Sequence, residues 1–117
     1  MSNIPRRGEI WLVRLDPTVG SEIKKTRPAL VISNDVNNQY GSLVTVLPIS
    51  DRGPKVYPFE TAILGEITGL SKPSKIKCQQ IRTLDKERLI KRLGTAAKGL
   101  LPDIEHALKL HLGIEGH

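Results

Sequence analysis

A chain of 117 residues suits one domain spanning 1–117, and 38% hydrophobic content is enough for it to bury a core. Lys and Arg total 18 against 12 Asp and Glu, a net charge of +6, which favours polyanions or an acidic protein as partner. A lone cysteine, Cys78, excludes an intrachain disulfide and a cysteine-rich zinc site and suits a reducing compartment. The basic N-terminal stretch is not followed by a long apolar run, so neither a signal peptide nor a membrane span is expected. Aromatic residues are few (Trp11, Tyr40, Tyr57, Phe59), which argues against a stacking platform for single-stranded nucleic acid, since that needs several exposed rings.

The first predicted element is a strand over 9–15, rich in apolar and β-favouring residues and stopped by Asp16-Pro17. A polar, turn-rich loop follows and ends in Arg27-Pro28, so an arginine stands where the chain enters the next apolar run. That run, 29–33, is continuous and predicts a central strand covered on both faces. The stretch 34–41, with three Asn, one Asp and Gly41, predicts a turn that joins two strands as a hairpin. A β-branched run resumes over 42–47, with Pro48 as its end or as the mark of an edge. A loop over 51–55 leads to a strand region over 56–64, weakened by Pro58, and a second loop covers 65–73. Alternation of charged and apolar residues over 75–81 predicts a half-exposed strand. Residues 85–88 read as a turn or 3₁₀ segment, and 89–93 as a short strand.

One helix is expected, at the end. Pro102 suits its first position, Asp103 and Glu105 its positive pole, and Gly113 its C-terminal cap. Ile104, Leu108 and Leu112, with Leu101 just before, form its apolar stripe. Many short strands with one terminal helix predict a mainly β fold, a small closed barrel with a helix on its side.

Arg27 is the first candidate for chemistry. Its planar donors match phosphate oxygens, and its charge does not titrate away. The competing reading is an ordinary ion pair at a loop end, with Glu22 as partner. Ser50 ends the third apolar run, where a hydroxyl can donate to a phosphate oxygen or simply serve a turn. If the strands entered by Arg27 and left by Ser50 are antiparallel neighbours, both residues fall at one end of the sheet and converge on one phosphate. Glu22 is a candidate base or a residue that orients Arg27, against the reading of a solvated loop carboxylate. Lys24 and Lys25 extend the positive field of the same loop. His106 is expected to be solvated and His111 to serve packing or an interface. No Ser-His-Asp or Cys-His pairing stands out, and no carboxylate cluster suggests Mg²⁺ or Zn²⁺. A nuclease built this way works without metal, taking the neighbouring 2′-hydroxyl of RNA as nucleophile.

Several segments in order resemble the MazF/PemK-type endoribonuclease toxins of type II toxin–antitoxin systems. They are Arg7-Gly8-Glu9-Ile10-Trp11, Asp16-Pro17-Thr18-Val19-Gly20-Ser21-Glu22, the run from Arg27-Pro28 through Ser33-Asn34-Asp35, Tyr57-Pro58-Phe59-Glu60, and Gln80-Ile81-Arg82-Thr83-Leu84-Asp85. The resemblance implies an SH3-like β-barrel of the CcdB/MazF/PemK kind and a cytoplasmic homodimer. It implies cleavage of single-stranded RNA at short sequences, without metal or other cofactor, to 2′,3′-cyclic phosphate and 5′-hydroxyl ends. Arg27 then matches the family's catalytic arginine, Ser50 falls where a threonine is usual, and Glu22 matches a loop glutamate. RNA contacts are expected from Ser21, Lys24, Lys25, Gln79, Gln80 and Arg82. The implied partner is an acidic, MazE-like antitoxin with a disordered segment that folds across the toxin dimer, the two binding DNA as a complex. This chain departs from the pattern at Ser50, which lacks the methyl that stiffens threonine, and at Ile23-Lys24-Lys25, where glutamine and glycine are usual. Two rival activities are a CcdB-like toxin that binds gyrase and a plain RNA-binding SH3-like module.

Overall fold

The computed structural model describes residues 4–51, 53, 55–63, 70 and 72–114. Among these residues, seven antiparallel strands form one sheet: β1 (Glu9–Arg14), β2 (Thr26–Val31), β3 (Leu43–Asp51), β4 (Glu60–Ile63), β5 (Ser74–Lys77), β6 (Arg82–Asp85) and β7 (Leu89–Thr95). The order along the sheet is β4-β5-β3-β2-β1-β7, and β6 pairs with β3. Among the described residues, two α-helices complete the fold, α1 (Asp35–Tyr40) and α2 (Leu100–Leu112). The mainly β architecture with a C-terminal helix is the one expected. No helix among the described residues is long and apolar enough to cross a membrane.

The strand sequences explain the layering. Side chains alternate across a strand, so the unbroken apolar run of β2 sends Leu30 to one face and Ala29 and Val31 to the other. Both faces are covered. One core gathers Ile10, Leu30, Leu47, Ile49 and Ile76 under α2, which contributes Leu100, Ile104 and Ala107. The second core holds Trp11, Val13, Leu15, Val44, Val46 and Leu84. Irregularities in the β1–β7 ladder, between Ile10 and Trp11 and between Leu12 and Val13, accompany the burial of Ile10 and Trp11 as neighbours.

Several local expectations are corrected. The stretch after β2 is a short helix, not a bare turn. Asn34 caps it by accepting from the Asn37 N–H at 2.8 Å, and Asn38, fully buried, donates to the Ser33 carbonyl at 2.8 Å. The antiparallel pairing of β2 with β3 survives this change. Strand β3 runs through Pro48 to Asp51, because Pro48 sits where the strand exchanges β6, paired up to Val46, for β5, paired from Ile49. The expected strand over 56–64 is confined among the described residues to β4. The chain before it turns at Tyr57, whose carbonyl accepts from the Glu60 N–H at 2.8 Å. The run 75–81 breaks at a 3₁₀ turn, Cys78–Gln80, and β6 follows without having been anticipated, being four residues long with only Leu84 buried. The 3₁₀ segment Lys86–Arg88 and a strand over β7 are as expected.

Helix α2 begins two residues before Pro102. The proline costs no internal bond there, since the first four N–H groups of a helix have no partner within it. Its buried face is Leu100, Ile104 and Ala107, with Leu101 and Leu108 partly covered, and Leu112 is 50% exposed, so the expected stripe ends early. Gly113 closes the helix in the left-handed conformation, φ 71°, as its position suggested.

Candidate active site

Strands β2 and β3 pair Ala29 with Pro48, Leu30 with Leu47 and Val31 with Val46. Carried on two residues, this register sets Arg27 level with Ser50. Both line one open groove of about 220 Å³, together with Asp51, Lys72 and Ser74. Arg27 is exposed. Its guanidinium Nε donates only a long bond, 3.4 Å, to the Lys24 carbonyl, and among the described residues it pairs with no carboxylate. The Ser50 hydroxyl donates to the Asp51 carbonyl at 3.2 Å, a weak local bond that a ligand oxygen can replace. Among the described residues, the only carboxylate lining the groove, Asp51, stands 3.9 Å from Lys72. A cation without a counter-ion beside a hydroxyl is an arrangement that receives an anion.

Glu22 is elsewhere. Its carboxylate turns back into its own loop and accepts from the Val19 N–H at 2.6 Å, so the ion pair with Arg27 weighed from the sequence is absent. Glu22 lines a neighbouring groove of about 460 Å³ with Ser21, Gln79, Gln80 and Arg82. Four of the six expected RNA-contacting residues are therefore together, but apart from Arg27 and Ser50. Lys24 and Lys25 are exposed on the same loop and line neither groove. Lys25 takes a left-handed backbone, φ 68°, and its carbonyl accepts from the Leu15 N–H at 2.8 Å, closing the base of the loop.

The polar heads of this second groove are engaged in holding the loop. The Gln80 side-chain Oε1 accepts from the Ile23 N–H at 2.7 Å, and Arg82 donates to the Leu15 carbonyl at 2.9 Å. Gln79 donates to the buried carboxylate of Glu60 at 2.7 Å, and its own Oε1 is buried without a hydrogen-bond partner among the described residues. At the loop's root, a backbone bond from Lys25, and a lesser one from the Thr18 side chain, hold the Asp16 carboxyl below its usual range. Glu60 carries further contacts, at 3.0 Å to Lys75 and 3.8 Å to Lys77. Burial pushes its pKa up, but the bonds from Gln79, the Tyr57 backbone and Lys75 outweigh this and leave it lowered.

Sequence reasoning missed Glu60 and Lys75. Lys75 is the cross-strand partner of Ser50, and the charged alternation of Lys75-Ile76-Lys77 was the available signal. The same reasoning placed His106 and His111 on α2, where both are exposed; the His111 ring lies 6.4 Å from that of Phe59, a packing contact. The Cys78 thiol is buried, donates to the Ile104 carbonyl, and is pushed up to about 11 by that burial, so it is not a nucleophile at neutral pH. No group of three His, Cys, Asp or Glu suited to a metal stands together among the described residues.

Residues 6–112 match the family described as PemK-like, MazF-like toxin of type II toxin–antitoxin system. The chain belongs to this family. It is 41% identical over 114 residues to endoribonuclease MazF9 of Mycobacterium tuberculosis, with 93% of this chain and 97% of that protein covered. It is 37% identical over 110 residues to endoribonuclease MazF of Staphylococcus epidermidis, covering 93% and 92%. Among solved structures, MazF of Deinococcus radiodurans superposes with a TM-score of 0.82 at 27% identity, covering 96% of this chain and 99% of that one. A MazE–MazF structure from the same organism superposes at 0.71 and 28% identity, with the same coverage. The fold is thus that of the MazF toxins, the SH3-like barrel the resemblance implied.

Proposed function

We propose that this member of the MazF-like toxins is an endoribonuclease that cuts single-stranded RNA at short sequences without a metal ion. The observation that carries the reading is the Arg27 guanidinium, unpaired with any carboxylate among the described residues, level with the Ser50 hydroxyl in one groove. A phosphodiester placed there meets a permanent positive charge and a hydrogen-bond donor. The 2′-oxygen attacks the adjacent phosphorus as the bond to the 5′-oxygen breaks, leaving a 2′,3′-cyclic phosphate and a 5′-hydroxyl. Arg27 faces the charge that builds on the phosphate oxygens, and Ser50 donates to a non-bridging oxygen. The 2′-hydroxyl proton leaves to a base and the 5′-oxygen receives one.

Glu22 is the carboxylate we assign to that proton traffic. The role requires it to release the Val19 N–H and swing toward Arg27, so loop movement accompanies catalysis. Ser21, Gln79, Gln80 and Arg82 form the floor along which the RNA continues. Lys24 and Lys25 attract the backbone and, with Ile23, alter the preferred sequence relative to other family members.

The working form in this reading is a cytoplasmic homodimer, held inactive by an acidic antitoxin. The net charge of +6 and the MazE–MazF structures of relatives support that partner. The decisive test is incubation of purified protein with a mixed RNA pool in EDTA, with sequencing of the product ends. Cyclic-phosphate ends at a recurrent short motif are expected, and substitution of 2′-deoxyribose at that motif stops the cut. Intact RNA across many sequence contexts overturns the reading.

A further inference from the structure

Beside the Arg27–Ser50 groove the sheet carries an aromatic and basic cluster that the cleavage chemistry does not use. Ser50 pairs with Lys75 on β5, and Lys75 pairs in turn with Ala62 on β4. Opposed residues of antiparallel strands share a face with Cβ atoms about 5 Å apart, so these three form one row on the outer side. Their neighbours Ile49 and Ile76 face the core. The Lys75 ammonium is fixed, 3.0 Å from the Glu60 carboxylate and donating to the Lys55 carbonyl at 2.8 Å. It stands 5.9 Å from the centre of the Tyr57 ring.

Tyr57 is itself well held. Its N–H donates to Glu60 at 3.0 Å, and its ring stacks parallel on Phe59, 5.4 Å between centres and 1° between planes. It remains 41% exposed. The Lys55 ammonium lies 4.7 Å from the same ring and pairs with no carboxylate among the described residues. A braced, exposed ring with an uncompensated cation over it lies one strand away from the phosphate groove.

We propose that Tyr57, backed by Phe59, is a stacking subsite for the base of a nucleotide adjoining the scissile phosphate, with Lys55 receiving that nucleotide's own phosphate. The subsite rests on the RNA reading of the Arg27–Ser50 groove for what passes beside it. In the free chain Lys55 occupies the ring. A base displaces it, because base–aromatic stacking outweighs an exposed cation–π contact, and the ammonium stays within reach of the backbone. An acidic peptide would satisfy Lys55 but gain little from the ring, so the chemistry favours RNA over a protein here. Every base offers a π-face, so the subsite adds affinity without choosing a base.

The test uses the full chain with Tyr57→Ala, Tyr57→Leu, Tyr57→Phe and Lys55→Ala. Leucine preserves packing on Phe59 while removing the π-face. Binding is measured to a fluorescent 2′-O-methyl RNA pool, which offers no free 2′-hydroxyl, and KM and kcat are measured on an RNA that the wild type cuts. Tyr57→Ala and Tyr57→Leu are expected to weaken binding and raise KM by about tenfold with kcat unchanged, and Tyr57→Phe to behave as wild type. Lys55→Ala is expected to reduce the slope of log affinity against log salt by about 0.7. Wild-type binding and KM in both Tyr57→Ala and Tyr57→Leu overturn the subsite and leave the patch to a protein partner. So does a failure of the wild type to bind the pool at low salt. If the wild type binds in a Tyr57-dependent way yet cuts no RNA, the subsite stands and the cleavage reading falls.

Discussion

Among the described residues, the Arg27–Ser50 groove presents a guanidinium with no carboxylate to answer it, whereas in the groove of Ser21, Glu22, Gln80 and Arg82 nearly every polar head is engaged by a neighbour. Buried or paired polar groups gain from being satisfied, so in the free chain the second groove's polar heads keep the loop in place, and Glu22 must give up its bond to the Val19 N–H before it can act. The first groove keeps its charge unspent on the fold. Chemistry is expected where a protein tolerates an unanswered charge, and positioning where its charges answer one another.

The largest test of this contrast is Arg27→Ala. RNA cleavage is expected to fall by about a hundredfold or more, as when a donor to a transition-state oxyanion is removed, with the melting temperature unchanged because Arg27 supports little structure. Arg27→Lys should recover little, since a point charge does not reproduce the planar fork. Normal cutting by Arg27→Ala erases the distinction between the grooves.

Next comes Glu60, which anchors the other side through Gln79, Lys75 and Lys77. Glu60→Ala strands those partners, and a denaturant titration should register a loss of about 3 kcal/mol. The same residue sets an acid limb. Its folded pKa lies below the ordinary 4.5, so its contribution is present above that value and is lost as pH falls through the lower folded value. Asp16 adds to the limb in the same sense below 3.8. Unfolding followed below pH 4.5 should therefore show falling stability, and Glu60→Gln should flatten it.

Ser50→Ala is expected to slow cleavage about tenfold in single-turnover kinetics, the effect of one hydrogen bond to a charged oxygen, while Ser50→Thr holds or raises the rate by stiffening the hydroxyl. Smallest is Gln80→Ala. It removes the bond to the Ile23 N–H, so KM should rise several-fold and stability change by about 1 kcal/mol. A kcat effect as large as that of Arg27→Ala would move Gln80 from support to chemistry.

The strong apolar runs made β1, β2 and the terminal helix legible in the sequence, because burial on one or both faces imprints its period on the chain. The helix α1 escaped, since its residues favour turns and it forms around an Asn34 cap and the buried Asn38, contacts that only the folded chain supplies. Strand β6 was too short to imprint a period. Scarcity of aromatic residues argued against a stacking surface, yet two of the four lie parallel on each other beside two lysines. Composition counts rings and does not say where they meet.

By itself the sequence determined that this is a small, basic, mainly β domain of the MazF-like toxins with an arginine at a strand mouth, because those properties reside in residue types and their order. Tertiary structure decided which groups share a site. The β2–β3 register brings Ser50 level with Arg27, while a bond to the Val19 N–H holds Glu22 in a different groove. Lys75 comes beside Ser50 only through strand pairing between segments distant in the chain. Hydrogen-bonded register and loop closure act across sequence separations that local pattern does not span, so composition named the candidates and the fold assigned them their neighbours.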